Sequence, residues 1–80
     1  MAYTPRFNAN DGGGWWAGHY GERICEWTYN AQSGELRVTI PGKSEGKMRA
    51  IKRGEPIDKN ILARIAIEIA EQITGEKYEV

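Results

Sequence analysis

The chain has 80 residues with 11 basic and 11 acidic side chains, so its net charge at pH 7 is zero. This length predicts one domain, and the balanced charge argues against a general nucleic-acid or membrane partner. Cys25 is the single cysteine, which excludes an internal disulfide and predicts a reducing, cytoplasmic location. No secretory signal and no apolar run of about 20 residues is evident, so we expect no membrane segment.

Composition divides the chain into four parts. Residues 1–14 are rich in asparagine and glycine, which predicts an irregular arm or, around 3–7, an edge strand. Alternating apolar residues and a basic loop follow over 15–53, where we expect an antiparallel sheet. Residues 57–75 are predicted to form a helix, and 76–80 a tail.

The adjacent tryptophans Trp15 and Trp16 must point to opposite sides if they lie on a strand. A two-residue turn centred on Gly21 and Glu22 would set Trp16 opposite Trp27 and direct both into the core. We call the side of the sheet away from the core the outer face, and alternation places on it Trp15, Ala17, His19, Ile24, Glu26, Thr28, Arg37 and Thr39. An arm folded back over Trp15 would cover it instead, and the sequence leaves both arrangements open.

A second hairpin is predicted around the loop 31–34. A four-residue loop sets Trp27 opposite Val38, which gathers the apolar side chains of both strands on one face. Gly34 can take the positive φ that ends such loops. Because the two turns are chosen independently and agree on one core face, they favour a three-stranded meander.

The next segment, 43–53, is basic. Its weak alternation over 48–53 leaves a fourth strand open. The motif "GKS" at 42–44 does not predict a phosphate-binding loop, because Arg37 stands where that pattern requires glycine. The segment contains one acidic residue, Glu45, and five basic residues. The basic residues are Lys43, Lys47, Arg49, Lys52 and Arg53.

The last element is an amphipathic helix. Asp58 is the predicted N-cap and Gly75 the predicted stop. Ile61 and Ile67 fall at the margins of the apolar stripe, where they would offer a homodimer contact. The stripe itself repeats at spacings of three and four residues and comprises Leu62, Ile65, Ala66, Ile69, Ala70 and Ile73. The predicted fold is therefore α+β, with a three- or four-stranded antiparallel meander and one C-terminal helix packed on one face.

Catalytic chemistry is not predicted. His19 and Cys25 fall on opposite faces, so they do not form a nucleophile–base pair. His19 with Glu22 and Glu26 falls short of the usual zinc ligand set. We therefore expect neither an enzyme, nor a metal site, nor a cofactor.

The sequence favours a non-catalytic interaction module whose partner is a protein or a nucleoprotein complex. Exposed tryptophan, histidine and arginine are typical interface anchors. Small phage or mobile-element proteins that inhibit a host complex are often compact, cysteine-poor chains of this size. We therefore expect an inhibitor of this type. The alternative is a double-stranded nucleic-acid-binding module that uses the basic segment. The predicted partner-binding residues are Trp15, His19, Ile24, Arg37, Lys43, Lys47, Arg49, Lys52 and Arg53.

Overall fold

Five strands and one helix make up the chain over the residues that the computed structural model describes, which are 3–8, 12–43, 46–50 and 58–78. The strands pair antiparallel in chain order, so each is a neighbour of the next in sequence. The helix packs on one face of the sheet, which confirms the predicted α+β class. The elements are β1 (Thr4–Phe7), β2 (Gly13–Ala17), β3 (Arg23–Asn30), β4 (Glu35–Thr39), β5 (Gly46–Ala50) and α1 (Lys59–Thr74).

The β3–β4 hairpin has the predicted register. Trp27 lies opposite Val38, and the strands are joined by the four-residue loop 31–34. Gly34 closes this loop with a φ of +76°, and its N–H donates to the carbonyl of Asn30 at 2.8 Å. The side chain of Asn30 also accepts a hydrogen bond from the N–H of Gln32, which fixes the turn locally.

The β2–β3 pairing differs from the prediction by two positions. Trp16 lies opposite Cys25, whereas the two-residue turn would have placed it opposite Trp27. The connection is the five-residue loop 18–22, in which Gly21 has a φ of +80°. A shift of two positions preserves the alternation, so Trp16 still points into the core as predicted.

Beyond Trp16 the pairing changes again. Ala17 lies opposite Arg23, although Trp16 lies opposite Cys25, so β3 carries one extra residue at this point. That residue is Ile24, and the irregularity has the form of a β-bulge. The bulge exchanges the faces of the two residues before Cys25. Ile24, predicted on the outer face, packs against the core instead.

The sheet is wider than the predicted meander at both edges. Strand β1 is the edge strand expected around 3–7, and β2 begins at Gly13 rather than after the predicted arm. A Cβ atom at Gly14 would lie 2.8 Å from the indole of Trp27, so glycine is needed there to let the ring pack closely against β2. The sequence leaves open a further strand over 48–53 after the predicted meander. The structure has this strand as β5, which begins two residues earlier, at Gly46. Residues 51–53 of that prediction lie outside the described residues.

Helix α1 begins and ends as the sequence predicts. The carboxylate of Asp58 accepts a hydrogen bond from the N–H of Asn60 at 2.9 Å. Gly75 is left-handed with a φ of +76°, and its N–H donates to the carbonyl of Glu71. These contacts satisfy backbone groups at both helix ends that lack partners within the helix.

The core lies between α1 and the sheet. Ile67 is 2% exposed, so the prediction that it lies at the margin of the apolar stripe of α1 is wrong. Ile61, predicted at the same margin, is 51% exposed. A homodimer contact through both residues therefore cannot use Ile67 in this fold. The buried core cluster comprises Trp16, Cys25, Trp27, Leu36, Val38, Ile40, Leu62, Ala63, Ala66, Ile67, Ile69 and Ala70.

Membrane-spanning helices are absent from the described part of the chain. Helix α1 has 16 residues and is amphipathic, and it falls short of the length and hydropathy that a bilayer crossing needs.

Candidate interface on the outer face

The two adjacent tryptophans lie on opposite sides of β2, as predicted. Trp16 is 5% exposed, and its indole N–H donates to the backbone carbonyl of Ala63 in α1 at 2.7 Å. This bond connects the sheet to the second turn of the helix. Trp15 is half-buried and points to the outer face, which no described element covers.

Trp15 is the centre of a small cluster of side chains. The guanidinium carbon of Arg23 lies 4.6 Å from the centroid of the Trp15 ring. The same guanidinium donates to the carboxylate of Glu26, which stands directly opposite Trp15 on β3. We call these three residues the Trp15 cluster. Its contacts hold the arginine in one orientation, because the ring and the carboxylate constrain it from two sides.

The bulge at Ile24 explains how Arg23 reaches the outer face. In an unbroken ladder Arg23 would share the face of Cys25, which is fully buried. The extra residue places Arg23 opposite Ala17, on the same side as Trp15 two positions away. At that diagonal distance a long side chain reaches the neighbouring ring. The bulge therefore moves an apolar residue inward and a cation outward at the same point.

A shallow groove of about 230 Å³ runs beside the Trp15 cluster on the outer face. Arg37 and Thr28 border it and also border a second groove of about 330 Å³, which lies towards the end of β3 and the start of β4. Arg37 thus lies between two concavities of one continuous surface. We call the first the Trp15 groove; it is lined by Asn8, Gly14, Trp15, Arg23, Glu26, Trp27, Thr28, Arg37 and Thr39.

A third arginine flanks the cluster. Arg6 on β1 is exposed and lies directly opposite Trp15. Directly paired residues in an antiparallel sheet have neighbouring side chains on one face. Trp15 therefore has Arg6 on one side and Glu26 with Arg23 on the other.

His19, predicted beside Trp15, is directed elsewhere. It lies in the loop 18–22, and its ring is 5.2 Å from that of Tyr3, centroid to centroid. Tyr3 in turn contacts Tyr78, which follows α1, at 5.4 Å. Burial raises the pKa of the Tyr78 hydroxyl above its ordinary value. The structure therefore assigns His19 to an aromatic cluster near the helix C-terminus, and the predicted patch of Trp15 with His19 and Ile24 does not form.

Three cations of the basic segment lie among the described residues. Lys43 is exposed in the turn after β4, with its N–H donating to the carbonyl of Ile40 at 3.0 Å. Lys47 and Arg49 lie on β5 opposite two buried residues of β4, Val38 and Leu36. The cross-strand neighbour of Arg37 is Met48. Lys52 and Arg53 lie outside the described residues.

The described residues hold neither an exposed thiol nor a cluster of possible metal ligands. Cys25 is fully buried, and burial raises the pKa of its thiol to about 12, with a smaller opposing effect of a hydrogen bond at Trp16. A thiol in this state is a core residue rather than a nucleophile. Among the described residues no three His, Cys, Asp or Glu side chains form a group that could hold a metal ion.

Sequence reasoning missed Arg6, Arg23 and Glu26 as members of the candidate interface. Alternation predicts Glu26 on the outer face, where it lies, but indicates no role for it. Arg6 could have been found from the alternation in "TPRF" if the register of β1 had been known. Arg23 carried no such signal, because a bulge has no fixed sequence pattern.

Known proteins give no guide to this chain: no family model matches it, and no curated protein and no solved structure is significantly similar. The class that can be assigned is that of the fold, a five-stranded antiparallel meander with one helix on one face and an exposed arginine- and tryptophan-bearing face on the other.

Proposed function

We propose that this protein is a non-catalytic interaction module that binds a protein partner through the outer face. The observation that carries the proposal is the Trp15 cluster. A half-buried tryptophan with an arginine fixed over its ring lies on the side of the sheet opposite α1. Tryptophan and arginine are the side chains most enriched among residues that dominate binding energy at protein interfaces.

The fixed orientation of Arg23 supports this function further. An interface loses free energy when long side chains must be ordered on binding. Trp15 and Glu26 already order Arg23, so less of that cost remains. Occupation of a partner's surface would block whatever else binds that surface, and the expected effect on the partner is therefore inhibition.

Affinity capture tests the proposal. Immobilised wild-type protein and its Trp15→Ala variant are exposed to an extract of the source organism, and captured proteins are identified by mass spectrometry. Ile61→Ala is the matched control, because Ile61 is exposed on α1, away from the outer face. We expect Trp15→Ala to lose a partner that wild type and Ile61→Ala retain, with all three folded by circular dichroism.

Nuclease treatment of the extract distinguishes the alternative function. A protein partner should remain bound after the nucleic acid is digested. Loss of capture on digestion would instead favour the nucleic-acid-binding module. Equal capture by wild type and Trp15→Ala would contradict the role of the outer face.

A further inference from the structure

The charges along helix α1 stand in an order that does not favour an isolated helix. Beyond the N-cap Asp58, the first turn holds no acidic residue, and the last turn holds no basic residue. Helices favour the reverse, because the backbone dipole is positive at the N-terminus and negative at the C-terminus. In the middle of α1, Arg64 precedes Glu68 by four residues, which is the less favourable order for an ion pair within one helix.

Arg64 and Glu68 are both exposed, and neither makes an ion pair with a residue that the structure describes. The charged side chains nearer the two ends of α1 are engaged within the chain, Lys59 over an aromatic ring and Glu71 by a backbone N–H. Ile61, at the start of the helix, is 51% exposed. We call the exposed helix row the side chains that follow each other on the solvent side of α1 at spacings of three and four: Ile61, Arg64, Glu68 and Gln72.

We propose that the exposed helix row binds the same row of a second copy of this chain, with the two helices antiparallel. A two-fold axis that crosses α1 near Ala66 sets Arg64 of each copy opposite Glu68 of the other, so one contact forms two ion pairs. A parallel pair would set each charge opposite its like, which costs free energy. The order of the two charges therefore selects the antiparallel arrangement.

The antiparallel pair answers the other features of the exposed helix row. Each helix receives the acidic half of its neighbour beside its own N-terminal half, and the two backbone dipoles oppose each other. Ile61 of one copy lies beside Gln72 of the other, so part of its exposed apolar surface is covered. Because α1 lies on one side of the sheet, the outer faces of the two copies point away from each other and remain free.

This contact is small and the dimer is weak. Helix α1 has 16 residues and is about 24 Å long. One row of four side chains covers less than the roughly 1,200 Å² of a stable complex, so we expect a dissociation constant on the order of 0.1–1 mM. At about 10 μM the protein is then monomeric, and unfolding and fluorescence measurements observe a single chain.

Sedimentation velocity from about 10 μM to about 1 mM tests the inference. We expect the sedimentation coefficient of wild type to rise with concentration, and added salt to suppress the rise. Arg64→Glu and Glu68→Arg each set like charges opposite each other, so each should raise the dissociation constant about ten-fold or more. Lys43→Glu is the matched control, because it makes the same charge change as Arg64→Glu at an exposed turn far from α1 in sequence, and it should dimerise as wild type does. Circular dichroism checks that every variant is folded.

Charge exchange gives the sharpest result. An equimolar mixture of Arg64→Glu and Glu68→Arg should form a heterodimer, and the double variant that carries both changes should dimerise alone, because each restores opposite charges across the two-fold axis.

Three results would overturn the inference: a wild type that stays monomeric at about 1 mM, dimerisation that both single variants retain, or a mixture that stays monomeric although wild type dimerises. A dimer that Trp15→Ala abolishes and Arg64→Glu retains would assign self-association to the outer face, and would also contradict it. Partner capture through the outer face is a separate measurement, so either proposal can fail without the other.

Discussion

Trp15 and Trp16 are covalent neighbours in opposite environments. Trp16 is enclosed between the sheet and α1 and donates its indole N–H to the carbonyl of Ala63. Trp15 lies half-buried on the outer face under the guanidinium of Arg23. The comparison separates two uses of one side chain. On the core face the indole connects two layers of the fold, and on the outer face an indole of the same size supports the guanidinium of Arg23.

The largest difference should appear when each tryptophan is truncated. Trp16→Ala removes a buried ring and its hydrogen bond, and we expect a loss of about 3–5 kcal/mol in the free energy of unfolding. Trp15→Ala should cost markedly less, because its ring is only partly buried and lies outside the core cluster. Chemical denaturation followed by circular dichroism measures both.

Trp16→Ala could fail to fold, so Trp16→Phe provides a second measurement. It keeps an aromatic ring but removes the donor to Ala63, which should cost about 1–3 kcal/mol. Equal losses for the variants at positions 15 and 16 would contradict the separation of the two faces.

A second prediction concerns the glycine that lies under Trp27. Gly14→Ala would place a methyl group against the carbonyl of Arg6 and 2.8 Å from the Trp27 ring, so we expect a loss of about 3 kcal/mol. Gly42→Ala is the control, because Gly42 has a φ of +85° and open space around it. Only backbone strain of about 1 kcal/mol applies there. If Gly14→Ala proved as mild as Gly42→Ala in thermal or chemical unfolding, the close packing of Trp27 on β2 would be wrong.

A third prediction uses pH to probe the core face. Burial raises the pKa of the Cys25 thiol from 9.0 to about 12. Above pH 9 the unfolded chain loses this proton while the folded chain keeps it, so stability is full below pH 9 and declines as pH rises towards 12. We expect about 1 kcal/mol to be lost by pH 10.

The Cys25→Ala variant isolates this effect from the titration of tyrosines and lysines. The fall in stability above pH 9 should be steeper for wild type than for the variant in paired urea titrations. Identical pH dependence of the two proteins would show that the Cys25 thiol is more exposed to water than it is in the structure. Native protein at pH 8 should also resist alkylation by iodoacetamide, whereas urea-unfolded protein should react.

The smallest stability effect is expected at the Trp15 cluster. The side chains of Arg23 and Glu26 are 54% and 40% exposed, so Arg23→Ala should change the free energy of unfolding by less than about 1 kcal/mol. The same change uncovers the Trp15 ring, and acrylamide quenching of its fluorescence should increase. Arg64→Ala on α1 is the control and should change neither quantity. A large stability loss with Arg23→Ala would mean that the outer face contributes to the fold as the core face does.

Much of the fold follows from local signals that act within a few residues. The helix ends are set by Asp58 and Gly75, and the β3–β4 register by the four-residue loop that Asn30 and Gly34 stabilise. The alternation of apolar residues then assigns Trp16 to the core whichever partner it faces. These features depend on neighbours in sequence, so a sequence alone contains them.

The candidate interface was less predictable because it depends on a bulge. One extra residue at Ile24 exchanges the faces of Ile24 and Arg23, and neither residue type signals this. The cation over Trp15 therefore could not be derived from alternation. The position of Arg6 depends on the pairing of β1 with β2, which no short turn of defined length specifies.

The central claim is that the Trp16 indole is hydrogen-bonded inside the fold, whereas Trp15 lies partly exposed on the outer face. Hydrogen exchange of the indole N–H groups, assigned with Trp15→Phe and Trp16→Phe, tests it directly. We expect the Trp15 indole proton to exchange within seconds, and the Trp16 proton to exchange only as slowly as the whole domain unfolds. Slow exchange at Trp15 together with fast exchange at Trp16 would contradict the structure and remove the proposed interface.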